Sequence, residues 1–157
     1  MSEFYVSDEE TDYEIRTLDY GDYRKGFLQL LEQLTIVDTK LIGELDFVNR
    51  VQDLKDAHGH LVYVMIDNNI DKIVATGTIF IEKKFIHKMG YVGHIEDVVV
   101  DQNYRNKGLG KEIINTLVEF ARSIECYKVI LDCSKENVGF YENCDFEKKG
   151  IEMAKYF

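Results

Sequence analysis

The residues best placed to do chemistry lie in one stretch, Gly93-His94-Ile95-Glu96-Asp97-Val98-Val99-Val100-Asp101-Gln102-Asn103-Tyr104-Arg105-Asn106-Lys107-Gly108-Leu109-Gly110-Lys111. Ile95 to Val100 has the apolar, β-branched content of a buried strand. From Leu109 the apolar positions change to helical spacing: Leu109, Ile113, Leu117, Ala121 and Ile124. Two glycines at the junction let the backbone approach a ligand closely. The unpaired N–H groups of the first helical turn suit a phosphate or pyrophosphate. The pattern therefore predicts an anion cradle. A magnesium-binding P-loop is excluded because Glu112, not Ser or Thr, follows Lys111, and a dinucleotide fingerprint because Ile113 stands where a third glycine would be. Arg105-x-x-Gly108-x-Gly110 remains.

That loop resembles the Arg/Gln-x-x-Gly-x-Gly/Ala loop of the GNAT acyltransferases, which holds the pyrophosphate of acetyl-coenzyme A. Three further segments follow a fixed order around it: Gly93-His94-Ile95-Glu96-Asp97, Cys126-Tyr127-Lys128-Val129-Ile130-Leu131-Asp132-Cys133 and Glu136-Asn137-Val138-Gly139-Phe140-Tyr141-Glu142. Together they closely resemble the eukaryotic glucosamine 6-phosphate N-acetyltransferases, from about Tyr13 to the C-terminus and most densely from Ile79 to Met153. The resemblance implies an α/β (mixed α+β) GNAT fold. Its central sheet is mostly antiparallel and flanked by helices, with a strand bulge and a splay at the acetyl-CoA site. It implies acetyl-CoA as co-substrate, no metal, D-glucosamine 6-phosphate as acceptor, and a place in UDP-N-acetylglucosamine synthesis.

Transfer of acetyl from a thioester to an amine needs a neutral amine, a held oxyanion and a proton for the leaving thiolate. No Ser-His-Asp or Cys-His pairing is legible, so direct attack in a ternary complex is the expectation. Tyr141 is the chosen acid: a phenol near pKa ~10 stays protonated at neutral pH and can donate to a thiolate near ~8.5. Glu96 and Asp97, adjacent in a strand, face opposite sides unless a bulge intervenes. By resemblance both contact the amino sugar, and the backbone of Val98, Val99 and Val100 binds the acetyl and pantetheine arm. The loop residues Arg105, Asn106, Lys107, Gly108, Leu109, Gly110 and Lys111 would hold the pyrophosphate. The Asp132 main-chain carbonyl would orient or deprotonate the amine. Thr35, Lys84, Phe85, Ile86, His87, Tyr127 and Lys128 match positions around the sugar phosphate. Asn137 fits either a helix N-cap or a coenzyme contact.

Three departures from the resemblance matter. Asn106 replaces a loop glycine, but asparagine tolerates a left-handed backbone. Asp145 replaces the glycine of Cys-Gly-Phe at a helix C′ position, at a cost in stability. Lys155-Tyr156-Phe157 stands where some relatives place a phosphate-binding basic residue, which leaves that contact open. The resemblance also implies a homodimer in which the C-terminal strand crosses to the partner, with Thr35 serving the neighbouring site.

The elements that must position these residues are legible in outline. Residues 1–12 are acidic and read as a mobile tail, with 13–157 one domain. A strand is expected over Tyr13–Leu18, then a helical face of Tyr23, Phe27, Leu30, Leu31 and Leu34 ending at Thr35. Leu41, Leu45, Val48 and Val51 mark a second helix. Leu61–Ile66 and Ile73–Ile81 flank Asp67-Asn68-Asn69 as a hairpin, and the second of these pairs antiparallel with the strand around Tyr91–Val100. Tyr127–Cys133 reads as a buried strand, Asn137–Asn143 as a short helix, and Phe146–Met153 as a closing strand.

Bulk composition sets the outer limits. At 157 residues the chain can bury a core without staples. No apolar run spans a bilayer and no secretory leader is seen, so a cytoplasmic location is expected. Three cysteines without C-x-x-C read as small buried residues in a reducing compartment, and four histidines show no H-E-x-x-H. A net charge of −10 argues against nucleic acid and anionic membranes as partners. It also requires local basic clusters, Lys83, Lys84, His87 and Lys88 in one and Arg105, Lys107 and Lys111 in another, to receive anionic substrates. Lys84, His87, Lys128 and Thr35 favour an anionic acceptor over a polyamine or protein terminus. A non-catalytic acetyl-CoA-binding module is the rival of another class, and the presence of Tyr141 and Glu96 weighs against it.

Overall fold

The computed structural model describes residues 12–157, so all of the acidic tail except Asp12 lies outside the described residues. Alternating apolar residues build a five-stranded sheet in the order β1-β2-β3-β4-β5. Its strands are β1 Tyr13–Thr17, β2 His60–Asp67, β3 Lys72–Lys83, β4 Tyr91–Val100 and β5 Cys126–Ile130. The first four pair antiparallel in sequence order, and β5 alone runs parallel, beside β4. The expected hairpin is the β2–β3 pair.

Helices cover both faces. On one face lies α4, Leu109–Ser123, whose Leu109, Ile113, Ile114, Leu117 and Ala121 are buried as their spacing requires. They pack with Met65, Ala75, Ile79 and Ile95, each Leu, Ile or Met side chain gaining roughly 1.5–3 kcal/mol from leaving water. On the other face α1 (Phe27–Leu31) and α2 (Glu44–Asp56) bring Phe27, Leu30, Phe47 and Val51 against Val64, Ile66, Ile73 and Val99. The first helical stretch is broken where one face was expected. A 3-10 turn over Tyr20–Lys25 ends at Gly26, whose φ of +81° redirects the chain into α1. Among the described residues no helix is long and apolar enough to cross a membrane.

Two strand expectations are corrected. β5 stops at Ile130 rather than Cys133, because its ladder with β4 ends at His94↔Ile130. Beyond Phe146 no strand forms: Ile151, Met153, Tyr156 and Phe157 are exposed, Ile151 at 89%. A strand needs a neighbour to pair its backbone, and this segment has none among the described residues. Cys133 is exposed rather than buried. The thiols of Cys126 and Cys144 are each pushed up by burial, which keeps them neutral.

A 3-10 turn, Gln102–Tyr104, fixes the approach to the glycine loop. Asp101 caps it by accepting from the Asn103 amide at 2.9 Å. Tyr104 donates to the buried Asp67 carboxylate at 2.8 Å. That bond, then burial, pushes the Tyr104 phenol up to about 12. Ionisation thus favours the unfolded chain, and the contribution of this bond is lost as pH rises from about 10 through 12. Tyr104→Phe should cost about 1–3 kcal/mol in urea unfolding, because Asp67 Oδ2 loses its donor while Oδ1 keeps the Asn69 amide. The difference from wild type should shrink above pH ~10.

Candidate active site

The site begins where β4 and β5 part. They share a ladder from Tyr91↔Cys126 to His94↔Ile130. From Ile95 to Val100 the β4 edge on that side has no strand partner among the described residues. Opposite β3, Thr76 pairs with Val99 and Thr78 with Glu96, so Asp97 and Val98 both face Gly77. This is a β-bulge, with Asp97 at φ +51°. The extra residue shifts the alternation, so that Val98 and Val100 join the α4 core while Val99 joins the other. Gly77 makes the bulge possible. A Cβ there would lie 2.8 Å from Ile113 Cγ2 and 3.0 Å from Leu117 Cδ1, so any side chain would push α4 away. Its signal was in the sequence: a lone glycine inside a strand pattern marks a bulge or a close approach.

The glycine loop sits at the C-terminal end of β4. Asn106 takes φ +61° and Gly108 φ +81°, as the departure at Asn106 allowed. Gly108 starts α4, and the Glu112 amide makes the first helical bond, back to the Gly108 carbonyl. The amides of Gly108, Leu109, Gly110 and Lys111 donate no hydrogen bond within the described residues, and they form an open helix N-terminus. Arg105 folds back, donating from Nε to the Val100 carbonyl at 3.3 Å. Lys107 places its ammonium 4.9 Å from the centre of the Tyr104 ring. A Cβ on Gly110 would meet Phe140 Cζ at 3.1 Å, so this glycine lets α5 (Val138–Glu142) close against the loop.

Phe140 was not singled out from the sequence, yet it joins α5 to the loop and sets the neighbouring Tyr141, whose ring lies 5.0 Å away edge-on. Tyr141 is half-buried and packs edge-on to Phe146 as well. Burial raises its phenol above the ordinary value, with Cys133, Cys144 and Asp132 adding to the effect. It therefore holds its proton at neutral pH. The end of α5 is fixed by Asp145 at φ +65° and by the Phe146 amide, which donates to the Tyr141 carbonyl at 3.0 Å. Aspartate in this left-handed C′ role costs on the order of 1 kcal/mol against glycine. Asn137 precedes α5 at the N-cap position, but its side chain makes no capping bond.

A second group of residues collects on one sheet face. Directly paired residues point to the same side, and so do residues two apart. Glu82, Phe80 and Thr78 of β3, Val92, His94 and Glu96 of β4, and Lys128 and Ile130 of β5 therefore share a face. Glu96 is exposed at the bulge end. Partial burial raises its carboxyl, and Asp132 and Asp97 raise it further. The opposite end is cationic. The turn after β3 bends back through Lys84, whose amide donates to the Gly90 carbonyl at 2.8 Å. Ile86–Met89 (α3) is a single left-handed turn, with His87, Lys88 and Met89 at φ +51°, +58° and +63°. The His87 ring stacks on Tyr127, 4.0 Å between centres, and the Lys128 ammonium is 5.8 Å from the same ring. Three consecutive non-glycine residues in this region mark a strained segment. Gly90 accommodates it, since a Cβ would sit 2.9 Å from Tyr127. Phe85 and Ile86 are exposed beside it.

Thr35 is not brought to this cluster within the chain. It follows Gln33, which donates to Asp101 at 3.2 Å and accepts from the Gln102 amide at 2.8 Å. Those partners lie past the far end of β4, a strand of ten residues, roughly 30 Å from the Lys84 turn. Glu82 and His94 were also missed. His94 Nε2 lies 2.8 Å from Glu82 Oε2, and Lys84 donates to Glu82 Oε1 at 2.6 Å. No spacing rule in the sequence points to that arrangement.

A bulged strand, a parting from its parallel neighbour and an open helix start beyond a glycine loop define an acyl-CoA-binding acetyltransferase fold. Residues 8–146 match the Acetyltransferase (GNAT) family, and the chain belongs to it. The chain is 45% identical over 146 residues to the glucosamine 6-phosphate N-acetyltransferase of Arabidopsis thaliana, covering 92% of this chain and 97% of that protein. It is 45% identical over 142 residues to glucosamine 6-phosphate N-acetyltransferase 1 of Dictyostelium discoideum, covering 90% and 88%. The crystal structure of the Arabidopsis thaliana enzyme superposes with a TM-score of 0.89 at 44% identity, over 93% of this chain and 99% of that one.

Proposed function

We propose that this acetyltransferase moves the acetyl group of acetyl-CoA to the amine of D-glucosamine 6-phosphate, giving N-acetyl-D-glucosamine 6-phosphate for UDP-N-acetylglucosamine synthesis. The observation that carries the reading is the bipolar sheet face. Glu96, Asp97 and Asp132 gather negative charge at the splay, and Lys84 and Lys128 gather positive charge at the other end, beside the His87 ring. Lys128 and Asp132 are four residues apart, about 13 Å of extended chain. An acceptor with an ammonium at one end and a phosphate at the other matches that polarity; a polyamine does not. Relatives named for this activity share over 40% of their residues with the chain, which supports the same choice.

Acetyl-CoA supplies an activated acetyl thioester. The open amides of Gly108 to Lys111, with Arg105, Asn106 and Lys107 around them, would hold its pyrophosphate. The unpaired edge of Val98, Val99 and Val100 would hold the pantetheine arm and the thioester oxygen. Asn137 would add a coenzyme contact, since its side chain is not spent on capping. Glu96, with its raised carboxyl, draws in the ammonium and takes its proton, while the Asp132 carbonyl orients the amine. The neutral amine attacks the thioester carbon and forms the C–N bond; as the C–S bond breaks, Tyr141 gives its phenolic proton to the leaving thiolate, and the proton shed by the new amide nitrogen restores the phenol.

The exposed apolar C-terminal segment and the remoteness of Thr35 support a homodimer, in which each segment pairs on the partner and each Thr35 serves the neighbouring site. Three free thiols, Cys126, Cys133 and Cys144, fit a reducing, cytoplasmic setting.

Thiol release from acetyl-CoA, followed with a panel of amines, should accelerate with glucosamine 6-phosphate and not with spermidine or a peptide N-terminus; no acceleration by the sugar phosphate rejects the reading. Tyr141→Phe should lower kcat by about 10²-fold and leave the acetyl-CoA Kd in place. Because the Glu96 carboxyl is raised, kcat/KM for the acceptor should fall with decreasing pH from a point above the ordinary carboxylate range. Glu96→Gln should remove that limb from the profile and lower the plateau by about 10²-fold.

A further inference from the structure

The cationic end of the acceptor face contains one carboxylate. Glu82 lies on β3 two residues before Lys84 and across from Val92, on the side that carries His94 and Glu96. Its two oxygens are both engaged, Oε1 by the Lys84 ammonium at 2.6 Å and Oε2 by His94 Nε2 at 2.8 Å. These two bonds, that of Lys84 first, hold the Glu82 carboxyl below its ordinary value. All three side chains are about one-third exposed, at 36%, 30% and 27% for Glu82, Lys84 and His94, so an incoming anion can reach them.

We propose that Glu82 is an internal competitor for the acceptor's phosphate: it occupies Lys84 while the acceptor is away and sets how strong an anion must be to claim that lysine. The inference rests on the acceptor reading above. A partly exposed ion pair of this kind is weak enough to exchange, and a phosphate dianion attracts an ammonium more strongly than a carboxylate does. A neutral sugar hydroxyl offers nothing in return for breaking the pair. His94 gives Glu82 a second anchor, which keeps the carboxylate in place once Lys84 has left it. Breaking the Lys84–Glu82 pair offsets part of what the phosphate gains from that lysine, which weakens ground-state binding and favours release of the phosphorylated product. Glu82 thereby tunes phosphate affinity through Lys84, as a specificity-determining residue that touches neither the amine nor the thioester.

Glu82→Gln keeps the length and one acceptor oxygen and removes the charge. Its KM for glucosamine 6-phosphate should fall by about threefold to tenfold, while the KM for acetyl-CoA holds. The Kd for inorganic phosphate, measured by titration calorimetry, should fall by a similar factor. In a Lys84→Met background the same change should have no effect on either quantity. A KM and phosphate Kd that rise or stay level in Glu82→Gln overturn the proposal, as does a gain that persists without Lys84. Wild-type failure to acetylate the sugar phosphate counts against the acceptor reading alone; the calorimetric comparison still decides the role of Glu82.

Discussion

The parting of β4 from β5 after His94 is the feature on which the rest of the molecule turns. Unpaired backbone groups inside a protein are costly, yet from Ile95 to Val100 this edge has no strand partner among the described residues, and the Val100 carbonyl is taken by the Arg105 side chain. The parting follows from the bulge at Asp97 and Val98, which increases the local twist and turns the strand away from its parallel neighbour. The bulge in turn needs Gly77, whose missing side chain lets Val98, Ile113 and Leu117 close over the sheet. A single absent Cβ on β3 thus links the seating of α4 to the exposure of the binding edge. The same helix presents its open N-terminus at the end of that edge.

Electrostatics is arranged along the sheet rather than over the whole surface. A chain of net charge −10 should repel anions at long range, but exposed charges more than about 8–10 Å apart are largely screened. What matters is the order of charge along one face: Lys84 and Lys128 at the start of β4 and β5, Glu96 and Asp132 at the splay. Strand alternation brings Lys128 and Glu96 to one side, although they come from separate segments of sequence, while Lys84 and Asp132 lie just beyond the strand ends.

Much of this was legible in the sequence, and the gaps have physical causes. The helical spacing from Leu109 and the two loop glycines located α4 and its open start, because both signals are local. Tyr13–Thr17 and the hairpin were legible for the same reason. The left-handed turn at His87 to Met89 was not, since none of its residues favours that conformation and only the packing of Tyr127 and Gly90 imposes it. Glu82, His94 and Phe140 escaped because their roles depend on cross-strand or helix-to-loop contacts that no local pattern encodes. The closing strand was expected over Phe146–Met153, and local sequence cannot say whether a pairing edge is available within the chain. Thr35 was read by resemblance, and its position past the far end of β4 follows from the path of α1.

The left-handed turn also bears on how the chain reaches its native state. Each of its three residues disfavours this backbone by roughly 1–2 kcal/mol, a sum comparable with a good part of a small domain's net stability. The segment therefore has no tendency to form by itself. It waits for Tyr127, some forty residues later in the sequence, to be delivered by the crossover through α4. This end of the sheet is accordingly a late event in folding, and an early one to fray when the molecule opens locally. A chain still emerging during synthesis, with β5 not yet made, would carry α1, α2, α4 and the hairpin but not this turn.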